Sequence, residues 1–218
     1  MDDLLSLAGR THPAIPLDVV GGLALVALVP LLLVACTSFA RIVCVLSLVR
    51  SAIGASALPP NAVIVALAIA LTALTMGPTI ARVRTEAVEP YASGKATPAQ
   101  ALERAAVPLR AFMLRQTRAD DVRLFERVAR KPATAPAAAP LDVLVPAFAV
   151  GELRSAFAIG FALYRPFVAI DLAVAAILMG LGMMMLSPPV VSLPAKLLLF
   201  VMVDGWALVC GGVVASFR

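Results

Sequence analysis

Side chains able to do chemistry are scarce in this sequence. Its 218 residues include one histidine, three cysteines, one tryptophan and two tyrosines, and only 14% are charged. The lone His12 leaves metal clusters and Ser/His/Asp or Cys/His catalysis without a second partner. Cys36, Cys44 and Cys210 are odd in number and each lies in an apolar run, where a thiol behaves as a small hydrophobe. Neither a disulfide framework nor a zinc spacing results. No Walker A pattern is present, so a nucleotide site is not expected either. The reading is of a non-enzyme with no catalytic, cofactor or metal site. Residues 1–18 carry Asp2 and Asp3 and no basic stretch ahead of an apolar core, so a cleaved signal peptide is not expected.

What remains is apolar: 61% of residues, with a mean hydropathy of +0.98. That surplus must sit in lipid or against other proteins. The net charge of +5 is confined to residues 82–140, which hold 11 basic and 6 acidic side chains, while the rest balances at 7 and 7. Residues 19–40 and 62–81 are uncharged over 22 and 20 positions, each matching the roughly 20 residues that cross a bilayer as helix. With Arg41, Arg50, Gly54, Pro59 and Pro60 between them, they read as a helical hairpin over 19–81 after an N-terminal segment, 1–18.

Residues 82–131 change character and read as a small polar insertion of short helices. Thr97-Pro98-Ala99-Gln100 is a capping box with Pro at the first helical position, and Thr117-Arg118-Ala119-Asp120 repeats the pattern more weakly. Acidic Glu103, Asp120, Asp121 and Glu126 interleave with its basic residues at helical spacing, so the surface is self-paired and no nucleic acid is expected. Residues 132–140 are a Pro/Ala linker.

The last block, 141–218, reads as a second apolar hairpin, with helices near 166–186 and 195–217 turning at Ser187-Pro188-Pro189. The fold class is therefore all-α: four apolar helical segments in membrane-associated hairpins, plus the polar insertion. Glu152, Arg154, Arg165, Asp171, Lys196 and Asp204 lie among apolar neighbours. A charge facing lipid costs at least about 2.5 to 3.5 kcal/mol, so these should face protein or water. Asp171 and Lys196, on opposite arms, are expected to pair within one chain or between copies, with Glu152, Arg154 and Asp204 as further buried charges serving assembly. Met183, Met184 and Met185 follow Gly180 and Gly182 and precede Pro188 and Pro189, which places a deformable Met cluster at a helix end or loop hinged by those glycines and prolines. Trp206 and Tyr164 read either as interfacial anchors or as packing against a neighbour.

Several strings carry a resemblance. Pro166-Phe167-Val168-Ala169-Ile170-Asp171-Leu172, Gly180-Leu181-Gly182-Met183-Met184-Met185-Leu186, Ser192-Leu193-Pro194-Ala195-Lys196-Leu197-Leu198-Leu199-Phe200 and Val203-Asp204-Gly205-Trp206, with Thr37 to Ile42 and Pro59-Pro60-Asn61 upstream, closely resemble the FliP/SctR family of type III secretion export gates. The resemblance covers about 180 residues from Cys36 onward, with Gly151, Arg165 and Ala195 as departures. Phe112 to Arg118 is similar to the flagellar branch, which is favoured over the injectisome branch that Ser187-Pro188 resembles. The resemblance implies a homo-oligomer, five copies in the family's assembly, completed by FliQ/SctS-like and FliR/SctT-like subunits around a channel for unfolded export substrates. It also implies FlhB/SctU-like and FlhA/SctV-like export partners and a place in the bacterial inner membrane, within a flagellar basal body or injectisome base. It assigns Met183, Met184 and Met185 to a pore gasket. It puts the polar insertion on the periplasmic side, although 11 basic residues there would favour the cytoplasm by the positive-inside rule.

Two readings from other classes compete. Gly- and Pro-broken helices also suit a small-solute transporter, but the two apolar halves show no internal repeat. Asp171 and Asp204 could form an intramembrane aspartyl dyad, but Ile170-Asp171-Leu172 and Val203-Asp204-Gly205 lack the Tyr-Asp and Gly-x-Gly-Asp patterns such proteases carry.

Overall fold

A computed structural model describes residues 27, 30, 31, 33–55, 58–131, 138–183 and 185–217. The segment 1–18, most of the first apolar run and residues 132–137 of the linker lie outside the described residues. Met1–Leu33 forms one unit, in which the described positions are helical, and Val34–Arg218 forms another. Every element named below belongs to the second unit. All regular structure among the described residues is helical.

Helix α1, Phe39–Ile53, buries Ile42, Val45, Leu46, Val49, Ala52 and Ile53 at three- and four-residue spacing, one full helix face. It ends at Gly54, and the chain returns as α2, Asn61–Val83. Arg50 closes the turn by donating to the Pro59 carbonyl at 3.3 Å and to the Asn61 side chain. α2 is apolar all round. It buries only the stripe Ile64, Ala68, Thr72, Met76 and Thr79, and leaves Val63, Ile69, Leu74 and Ile80 exposed. The helical path continues through a wider π turn, Arg84–Val88, and a short end, Glu89–Ala92.

The polar insertion holds α3, Pro98–Gln116, and α4, Ala119–Val128. At the start of α3 the expected capping box is complete: Gln100 donates its backbone N–H to Thr97 Oγ1, and Thr97 N–H donates to Gln100 Oε1. The weaker cap is corrected. Arg118 stands at the N-cap of α4 with no side-chain cap, because the Thr117 hydroxyl is turned back to the Met113 carbonyl at the end of α3, 2.8 Å away.

The C-terminal block differs from the two-helix expectation. α5, Leu141–Gly180, is one continuous helix of 40 residues that carries Pro146 and Pro166 inside it. An isolated Pro removes one i to i−4 bond, but a helix with packing or lipid on its flanks tolerates the loss. α6, Pro188–Met202, folds back on α5, and α7, Gly205–Ala215, follows at a bend of 64°. Pro188 and Pro189 are not the apex of the turn but the first positions of α6, where a missing N–H costs nothing. The described residues of the turn are 181–183 and 185–187.

Two apolar clusters hold these helices together. In one, α1, α2 and α5 meet α6 and α7 through residues such as Leu46, Phe167, Phe200 and Val213. There Trp206 stands edge-on to Phe200, with ring centroids 5.3 Å apart. In the other, Met76, Phe112, Met113 and Val122 close on Val143, Leu144, Ala147 and Phe148, which seats the insertion on the first turns of α5. Among the described residues two helices are long and apolar enough to cross a membrane, Asn61–Ala92 and Leu141–Gly180, or three if the bent α6–α7 pair counts as one. Most of the first of the four expected apolar segments, 19–40, lies outside the described residues.

Candidate gate loop and buried charge pairs

Glu152 and Arg41 face one another where the two clusters meet. Glu152 lies one turn from Phe148 of one cluster and one turn from Ala156 of the other, and it is fully enclosed. A buried carboxylate needs a partner that satisfies both oxygens. Arg41, 3% exposed, supplies it in a forked contact, with Nε donating to Oε2 at 3.0 Å and Nη2 to Oε1. The remaining donors are also occupied. Nη1 reaches the Ser216 carbonyl and hydroxyl, each at 3.1 Å, and Nη2 reaches Gln116 Oε1 at 3.3 Å. The guanidinium carbon lies 4.0 Å from the centre of the Phe217 ring, a cation–π contact that Arg makes more often than Lys. One side chain thus ties α1 to α3, α5 and the C-terminal end. Sequence reading noted Arg41 only as an interruption. Its partner is 111 positions away, and no local pattern points to it.

Asp171 and Lys196 meet within the chain, across α5 and α6: Lys196 Nζ lies 2.6 Å from Asp171 Oδ2, and the Ser192 hydroxyl donates to Oδ1. Lys196 is buried and Asp171 partly so. Asp171 therefore spends both oxygens on α6. Asp204, its supposed partner in an aspartyl dyad, is exposed at the α6–α7 break with φ of 48° and takes no part in this cluster. Asp204 is thus exposed in this chain, at the left-handed residue of the bend. Arg154 is also not enclosed. Its half-exposed side chain covers a buried partner on α4, Asp121, at 2.8 Å, so the insertion is clamped to α5 by charge as well as by apolar contact.

The Met-rich segment sits at a built stop. Gly182 N–H donates to the Met179 carbonyl and Met183 N–H to the Leu178 carbonyl, at 3.1 and 2.9 Å. This is the paired pattern of a Schellman cap. Its left-handed residue is Gly182, with φ of 72°, where a Cβ would be strained. Gly180 is the last helical residue of α5. Residues 183 and 185–187 are not helical, and the Ser187 carbonyl receives the first N–H groups of α6. Met185 is fully exposed on this loop and Met183 is exposed beside it; Met184 lies outside the described residues. The loop joins the buried-pair helices directly, since Asp171 is nine residues before Gly180 and Lys196 eight after Pro188.

No group of three or more potential metal ligands occurs among the described residues. Two ion pairs, Arg41–Glu152 and Lys196–Asp171, lie within the helix packing, while large apolar side chains stand exposed along α2, α5 and α6. The arrangement defines an all-helical protein of the membrane-associated class, in which polar groups hold helices together. Comparison gives the particular family: the FliP family profile matches residues 23–213, and the chain belongs to that family. It is 49% identical over 189 residues to the flagellar biosynthetic protein FliP of Pectobacterium carotovorum subsp. carotovorum, covering 86% of this chain and 73% of that one. Against the FliP of Caulobacter vibrioides it is 46% identical over 212 residues, covering 97% and 79%. Against that of Bacillus subtilis it is 44% identical over 190 residues, 86% of each. These relatives favour the flagellar branch.

Proposed function

We propose that this chain is a channel-forming subunit of the flagellar protein-export apparatus in the bacterial inner membrane. In this reading several copies, together with FliQ-like and FliR-like subunits, surround a pore for unfolded substrate proteins. FlhB-like and FlhA-like proteins feed it, and the polar insertion stands on the periplasmic side. The energy for export comes from other components, since the chain carries no nucleotide signature.

The observation that carries the reading is the loop between α5 and α6. It is short, capped at one end by Gly182 and at the other by Pro188 and Pro189, and it presents a fully exposed methionine between two helices joined by the Asp171–Lys196 pair. Copies of such a loop around an axis close a narrow apolar ring, and constrictions of that kind gate by excluding water. Met suits the task because its unbranched thioether re-packs around whatever passes. Replacing Met183, Met184 and Met185 together by Ala is expected to widen the ring and leave the helices untouched. Ion leak across the inner membrane of cells expressing the variant, measured alongside complex abundance, should rise at unchanged abundance. Unchanged leak with a normally assembled complex would remove the gasket role.

A further inference from the structure

Between α2, α3 and the C-terminal end lies a groove that the export reading leaves unused. Its larger part is a cavity of about 360 Å³ walled by Leu74, Phe112, Val214 and Phe217, with Thr79 and Arg115 at its polar side. A second cavity of about 50 Å³ continues it past Pro78, Thr79 and Arg115 to Arg82. One end is apolar and the other is cationic. Neither Arg82 nor Arg115 has an acidic partner among the described residues.

Thr79 singles the site out. Thr72, Thr75 and Thr85 on the same helical path each donate their hydroxyl back to a carbonyl one turn earlier. Thr79 lines both cavities and is 5% exposed, yet its hydroxyl has no hydrogen-bond partner among the described residues. The Thr79 side chain is enclosed, but its hydroxyl opens into the groove with no protein partner, which leaves it free to bond a ligand or water there. The groove's polarity also follows the helix. Leu74 lies within the uncharged stretch 62–81, and Arg82 stands where that stretch ends.

We propose that this groove holds one anionic phospholipid, its phosphate between Arg82 and Arg115 with Thr79 donating to it, and an acyl chain along Leu74, Phe112 and Phe217. The proposal rests on α2 lying in the membrane, as the export reading has it. With α2 in a bilayer, the cationic end sits at headgroup level and the apolar end among the tails, the disposition of basic lipid pockets between helices. An acidic segment of a neighbouring subunit would satisfy the arginines but leave the apolar end open, whereas a phospholipid fills both.

Native mass spectrometry of the full chain, extracted from membranes in mild detergent and offered phosphatidylglycerol or phosphatidylcholine, tests this. The wild type is expected to retain one phosphatidylglycerol and to discriminate against phosphatidylcholine. R82Q/R115Q should retain roughly 30-fold less, the scale set by removing two arginines from an anionic headgroup. T79V should give a smaller loss, and inorganic phosphate should not displace the lipid. Equal retention by R82Q/R115Q would overturn the proposal, as would displacement by phosphate alone, which would mark a free-anion site. R82E/R115E losing its complexes while keeping its lipid would also overturn it, in favour of a subunit contact. A wild-type chain absent from the membrane fraction would overturn the membrane reading beneath it. A variant that stays in membranes and loses only the lipid supports both.

Discussion

Two buried cations, Arg41 and Lys196, set how this chain can be altered. Each is held by a carboxylate on α5, Glu152 or Asp171. Removing one member of a buried pair leaves the other uncompensated, at roughly 3 to 5 kcal/mol. Asp171→Ala and Lys196→Ala are each expected to lower the abundance of folded protein in membranes. The exchange D171K/K196D should recover part of it, because the charges still face one another across α5 and α6. Losses in the exchange that simply add would count against the pair. For Arg41 the informative change is Arg41→Lys, which keeps the charge but loses the fork onto Glu152 and the guanidinium contact with Phe217. Its melting temperature, followed by Trp206 fluorescence, should fall nearly as far as that of Arg41→Ala, and a wild-type value would show that charge alone matters. Asp171 and Lys196 were legible in the sequence as lone opposite charges on facing arms. The Arg41–Glu152 contact was not, because its geometry exists only once α1 has packed on α5.

At the scale of elements, local chemistry was legible where it was self-contained. The Thr97 capping box involves four consecutive residues and forms as written. Thr117 had two acceptable local bonds, and the one at the end of α3 won. Proline misled in the C-terminal block, since Pro166 lies inside α5 and Pro188 and Pro189 open α6. A rule learned in water assigns prolines to turns, whereas an apolar flank supports the helix through them. Gly160 gives a test of the crossing between α1 and α5. A Cβ there would lie 2.3 Å from Leu48 Cδ1 on α1, so Gly160→Ala must push α1 and α5 apart or displace that methyl. A destabilisation of about 1 to 3 kcal/mol is expected for such overpacking. L48A should relieve most of it in the double variant, because the obstructing atom is the far end of a flexible side chain. Denaturation of the single and double variants in detergent measures this, and a double variant no better than G160A would place the strain elsewhere.

For the whole molecule the deciding quantity is how much of α5 lipid can cover. At 1.5 Å per residue the 40 residues of α5 reach about 60 Å, twice the roughly 30 Å of a bilayer's hydrocarbon core. Only 11% of its most apolar window is buried in this chain, and Phe157, Phe161, Leu172 and Ile177 stand exposed along it. The first turns of α5 are covered by the insertion, and exposed Arg165 interrupts the apolar face between Phe161 and Leu172, so lipid cannot cover that face without a break. The bend of 64° between α6 and α7 likewise breaks a straight crossing, and it brings exposed Asp204 to the break. Lipid can therefore cover only part of the exposed apolar surface, and neighbouring protein must cover the rest. The full chain in mild detergent is expected to run as homo-oligomers, or as complexes with FliQ-like and FliR-like subunits when these are co-expressed, by native mass spectrometry. Substituting the outward apolar residues Phe157 and Phe161 by Ser, which touches neither buried pair, should shift the population toward smaller species without lowering helix content. A monodisperse, well-folded monomer of the wild type at low concentration would contradict the argument, for it would mean that detergent alone satisfies an apolar face that charge interrupts.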